Sequence, residues 1–130
     1  MILFCYFQIK PIEQIAFSFP EKDALSEIDA AFNFVEADSK SEPFLVQEIA
    51  KMIAESEQVI CFFDVVESEG LGALSKAIEA LRKSKTNQLF FVNGKNQQLQ
   101  KVLQMLKQPV HNFESTAQLK AVLTKSINSW

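Results

Sequence analysis

The sequence predicts an α/β domain built on a mixed, mainly parallel sheet of four or five strands flanked by helices. Two eight-residue runs, Ile2–Ile9 and Val59–Val66, are almost wholly apolar, as expected of strands covered on both faces. Between and after the later runs, apolar residues recur at helical spacing. Strand-like and helix-like segments then alternate to the end of the chain, the pattern of βαβ units and parallel pairing.

Taken in order, Ile2–Ile9 is the first strand. Ile15, Phe17 and Phe19 alternate, so Gln14–Phe19 is a candidate antiparallel return. Leu25, Ile28, Phe32 and Val35 fit a helix, yet Phe32-Asn33-Phe34-Val35 also reads as a strand. A strand there permits a five-stranded, flavodoxin-like order; otherwise an N-terminal hairpin sits beside a parallel sheet. Ala37–Pro43 is the most loop-like stretch, and Pro43 suits the first turn of a helix carrying Leu45, Val46, Ile49, Met52 and Ile53. Val59–Val66 is a central strand. Leu71, Leu74, Ile78 and Leu81 form the next helical stripe, closed by Arg82, Lys83 and Lys85, which complement the helix dipole. Leu89–Val92 is a buried strand ended by Asn93-Gly94. Leu99, Val102, Leu103 and Leu106 make another stripe, stopped by Pro109. Val110–Phe113 forms a short strand. The last helix carries Leu119, Val122, Leu123 and Ile127, with Ser115 or Thr116 at its N-cap.

With 130 residues, 48% of them hydrophobic, and three glycines, the chain reads as a single domain, 1–130, with a real core. Its twelve phenylalanines against one tyrosine and one tryptophan point to a Phe-rich core; the sharper alternative is an exposed patch for a partner or a homodimer. Cys5 and Cys61 lie inside apolar runs and read as buried, reduced thiols. The start of the chain has no secretory pattern, and no apolar run reaches membrane-spanning length, so the expected setting is cytoplasmic, without membrane association. Charge is unevenly spread: residues 1–69 hold 14 acidic and 4 basic side chains and residues 70–130 hold 2 and 9, giving −10 and +7. Such asymmetry can orient a partner. The lysines are scattered and not interleaved with aromatics, which argues against nucleic acid.

The segment that most invites a functional reading is Glu67-Ser68-Glu69-Gly70-Leu71-Gly72-Ala73-Leu74, directly after the central strand. Read locally, it is a tight turn leading into a helix. Ser68 then either caps that helix or stands where the helix dipole favours an added negative charge. With the strand before it, the helix Phe44–Glu55, the strand Leu89–Asn93 and the final Asn112-Phe113-Glu114-Ser115 and Ala117–Val122, this turn resembles that of STAS domains, the module of anti-sigma-factor antagonists. The resemblance runs from Val59 to Leu123. It implies a STAS-like fold, a protein partner docked at 67–74 and a kinase-modified serine at Ser68. The family's aspartate stands here as Glu67, and its second serine is replaced by Glu69. Glu67, Ser68, Glu69 and Gly70 are therefore the candidate docking and phosphorylation residues.

Other candidates lie at strand ends. Asp64 is placed like the phosphoacceptor of response-regulator receivers, but that chemistry needs a Mg²⁺-binding acidic pair after the first strand. Here that place reads Gln8-Ile9-Lys10, which excludes it. Asp64, Asn93 and Lys95 are candidates for a small-ligand or anion site at the C-terminal edge of the sheet; for Asn93-Gly94-Lys95 the alternative is a turn and a helix start. His111, the sole histidine, lacks companions for a metal site or a triad. No metal, cofactor or catalytic set is expected. The leading expectation is a non-enzymatic, regulatory protein–protein interaction module; the alternative is a ligand-binding α/β domain.

Overall fold

The computed structural model describes residues 2–15, 32–84, 86–106, 108, 110–112 and 116–128. The strands are β1 (Ile2–Ile9), β2 (Phe32–Asp38), β3 (Gln58–Val65), β4 (Asn87–Asn93) and β5 (Val110–Asn112). The helices are α1 (Pro43–Glu55), α2 (Ser75–Lys83), α3 (Gln97–Leu106) and α4 (Thr116–Asn128). Short 3-10 turns occupy Ile12–Gln14 and Gly72–Leu74.

The sheet has five strands in the order β2-β1-β3-β4-β5, and every pairing among the described residues is parallel. This is the strand order of doubly wound sheets of the flavodoxin type. Of the expected antiparallel return, Gln14 ends a 3-10 turn, while Phe17 and Phe19 lie outside the described residues. Phe32–Val35 is the start of β2; Leu25 and Ile28 of the competing helix reading are outside the described residues.

Alternation along the strands sends side chains to two cores. Leu3, Cys5, Phe7 and Ile9 join Val59, Cys61, Phe63 and Phe90 on the face covered by α1, α2 and α3. Phe4, Tyr6, Ile60, Phe62 and Phe91 pack on the opposite face with Leu123 of α4. Phe4, Phe7, Phe62, Phe63, Phe90 and Phe91 are fully buried, each contributing about 2–3 kcal/mol by leaving water. Phe44, by contrast, is 71% exposed at the start of α1, two residues before Val46 and so on the opposite side from the stripe Val46, Ile49 and Ile53 that faces the core. Leu45, expected in that stripe, is also exposed.

Pro43 occupies the first turn of α1, where its missing N–H costs nothing. The helix ends at Ser56, whose hydroxyl donates to the Met52 carbonyl at 2.6 Å. Arg82 and Lys83 close α2; Lys85 lies outside the described residues, as do Pro109 and Ser115, and Thr116 is the first residue of α4. Cys5 and Cys61 are free, buried and directly opposed across β1 and β3. Burial, and then the neighbouring Cys5 thiol, hold the Cys61 thiol well above its ordinary range.

Candidate functional site

In a sheet of this order the chain leaves β1 toward one side and β3 toward the other, so a crevice opens between their C-terminal ends. The register sets Asp38, Gln8, Asp64 and Asn93 in one row across β2, β1, β3 and β4 at that edge. They lie on the face that carries Tyr6 and Phe62, whose rings stack at 4.8 Å. At this edge the Lys10 ammonium donates to Asp64 Oδ2 at 2.6 Å, with both side chains largely buried. The Tyr6 hydroxyl donates to the same oxygen at 3.2 Å. Asp64 therefore has its charge met from within the chain, and the position where receiver chemistry would need a carboxylate holds the opposite sign. Among the described residues, no three His, Cys, Asp or Glu side chains are grouped to hold a metal ion.

The 66–74 segment projects from the same edge. Ser68 lies in an exposed turn with Glu67. It does not stand at a helix N-terminus: the 3-10 turn begins at Gly72 and the α-helix only at Ser75. Gly72 explains the delay. Its φ of +54° breaks the right-handed run, and a Cβ there would lie 2.3 Å from the Ser39 carbonyl oxygen. That carbonyl accepts the Ala73 N–H at 3.1 Å. The loop after β3 is thereby tied to the loop after β2.

The segment is also pinned to α3, whose N-terminal residues the sequence reading passed over. Asn96 is 4% exposed. Its amide group donates to the Val66 and Glu69 carbonyls at 2.9 and 2.7 Å, while its Oδ1 accepts the Leu99 N–H at 2.9 Å. One side chain both caps α3 and clamps the preceding loop. Glu67 Oε1 accepts the Gln97 N–H at 3.0 Å, and Gln98 Oε1 accepts the Leu71 N–H at 3.4 Å. The negative group that a helix start attracts is thus supplied by Glu67. Glu69 pairs with Lys40 at 3.2 Å, and Gly70 is exposed. The signal for Asn96 was present in the sequence: an asparagine three residues before the first buried leucine of a helix is an N-cap pattern.

The structure brings Glu67, Ser68, Glu69 and Gly70 together as one exposed loop. Of the other three candidates it keeps Asp64 and Asn93 side by side and sets Lys95 apart. Asp64 is engaged by Lys10 and Tyr6, and Asn93 shares its face, whereas Lys95 lines a groove of about 470 Å³ between α3 and the ends of β4 and β5. That groove includes neither Asp64 nor Asn93. His111 is half-buried on β5, its ring stacked on Phe91 at 5.4 Å. Among the described residues no helix is long and apolar enough to cross a membrane.

The chain matches no family model, no curated protein and no solved structure.

Proposed function

We propose that this chain is a non-enzymatic interaction module that docks a protein partner through the acidic loop at 67–70 and the turn leading to α2, with Ser68 as the position where a phosphate would alter docking. One observation carries the reading. An exposed loop with two carboxylates and a free-standing serine is tied down by a buried asparagine, the turn at Gly72 and an ion pair. A loop already ordered before contact has little conformational entropy left to lose on binding. Glu67, exposed and facing no cation within the described residues, would steer a basic partner surface, whereas Glu69 has Lys40 beside it. The carboxylate nearest the crevice, Asp64, is paired with Lys10, which favours docking over chemistry at this edge.

The test is site-specific photo-crosslinking in the source cells, with the photoreactive residue placed at 68 or, as a control, at the exposed position 79 on α2. The reading expects a discrete protein adduct from position 68 alone, lost when Glu67→Lys and Glu69→Lys are combined and retained in Asp64→Asn. Equal adducts from both positions, or an adduct indifferent to the two charge reversals, would refute it.

A further inference from the structure

The groove beside Lys95 borders the loop at Asn96, which lines the one and clamps the other, but it stands without the loop-docking proposal. α3 covers β4, and β5 extends past it, so that Val110 remains 41% exposed at the groove wall. The floor is apolar, formed by Leu99 and Leu103. Along its helical side run Gln100 and Gln104, Gln108 lines it beyond the end of α3, and Lys95 is its one charged lining residue among those described. Among the described residues no other protein group engages these three carboxamides or the Lys95 ammonium.

The spacing of the glutamines is informative. Four residues along a helix advance about 6 Å, and two residues of an extended chain advance about 6.6 Å. Gln100 and Gln104, one turn apart on α3, meet every second residue of an extended peptide at this pitch. Each carboxamide can donate to a backbone carbonyl and accept a backbone N–H. The residues between would point down, onto Leu99, Leu103 and Val110. From Leu99 to Leu106, the end of α3, the groove wall is about 10 Å long at helical rise, enough for about three extended residues. Its volume of about 470 Å³ is within the range of clefts that enclose ligands.

From this geometry we infer that the groove between α3 and β5 is a binding site for an extended peptide of about three residues, read through its backbone by the Gln100 and Gln104 carboxamides, with an apolar side chain on the floor and a carboxylate at the Lys95 end. A neutral sugar would satisfy the amides but leave the apolar floor and the ammonium unused. The match between helical and extended pitch favours a chain.

The experiment uses the whole chain, immobilised, and a randomised heptapeptide library displayed on phage. The inference expects enriched sequences with apolar residues at alternate positions and an acidic residue at one end. A labelled enriched peptide should lose about tenfold in affinity with Gln104→Ala, the equivalent of one or two hydrogen bonds. It should lose at least as much with Lys95→Glu and be unaffected by Lys51→Glu, which makes the same charge change on α1. Gln104 and Lys95 are exposed, so both variants keep the fold, which circular dichroism verifies. No enrichment over the empty surface, or enriched peptides whose binding ignores both substitutions, would overturn the inference.

Discussion

Replacing Asn96 with alanine should unfasten the edge of the domain without touching either main core. Three hydrogen bonds disappear together. Loss of the cap on the Leu99 N–H costs about 1 kcal/mol. The Val66 and Glu69 carbonyls each lose a donor in a partly buried setting, at about 1 kcal/mol apiece. The expected destabilisation is therefore about 3 kcal/mol, a large share of the roughly 5–15 kcal/mol that holds a domain folded. In urea this appears as a midpoint lowered by about 1.5 M, taking a slope of about 2 kcal/mol per molar. Asn96→Asp separates the two roles. It keeps an oxygen for the Leu99 N–H but sets a carboxylate against two carbonyls, so it should retain the cap and still free the loop. Hydrogen exchange at residues 66–71 should rise in both variants. An Asn96→Ala variant within about 0.5 kcal/mol of the parent, the range of ordinary surface changes, would refute the argument that this side chain clamps the loop.

Three further outcomes follow from the same geometry. Gly94→Ala should destabilise by about 2 kcal/mol or more, because φ is +101° and the new Cβ would lie 2.1 Å from the Val65 carbonyl oxygen; Gly70→Ala, which meets only Gln98 Oε1 at 3.5 Å, should melt close to the parent. Lys10→Met and Asp64→Asn should each destabilise, and the double variant should recover part of the loss; a coupling of about 1–3 kcal/mol in a denaturation cycle is expected, and strict additivity would deny the pair a role. Cys5 and Cys61 should resist iodoacetamide in the native state and react on unfolding. Because the folded chain holds the Cys61 proton more tightly than the unfolded chain, stability should be constant below the ordinary thiol pKa and decline as pH rises above it, a decline that Cys61→Ala removes.

The fold was legible where burial dictates pattern. Val59–Val66 and Leu89–Val92 could be read as strands because a strand covered on both faces has no polar side to show. Val46, Ile49 and Ile53 marked α1 because a helix on a sheet buries one stripe. The strand β2 was ambiguous for a physical reason: at the sheet edge it keeps Asn33 and Glu36 exposed, so its apolar content is too low to separate a strand from a helix. The candidate site was legible only in part. Glu67 to Gly70 announced a turn, and the structure has one. The expectation that a helix follows at once failed because a glycine at positive φ, fixed by contact with the distant Ser39 carbonyl, cannot be told from a helix-starting glycine by sequence. Lys10 was read only as the absence of an acidic residue; its partnership with Asp64 depends on register across 54 positions. Pairing Cys5 with Cys61 likewise needed the register.

The parallel arrangement also sets an order of events during synthesis. β1 is the most continuously buried strand, yet it lies between β2 and β3 and pairs residue by residue with positions 58–65. A hairpin could find its partner as soon as a turn had been made; this strand must wait for about fifty more residues. At about 5–20 residues per second that is roughly 3–10 s on the ribosome. Throughout that interval Leu3, Phe4, Cys5, Tyr6 and Phe7 have no finished sheet to enter. The central place of the first strand, which gives the mature domain its two cores, makes the growing chain dependent on protection from aggregation until β3 has emerged.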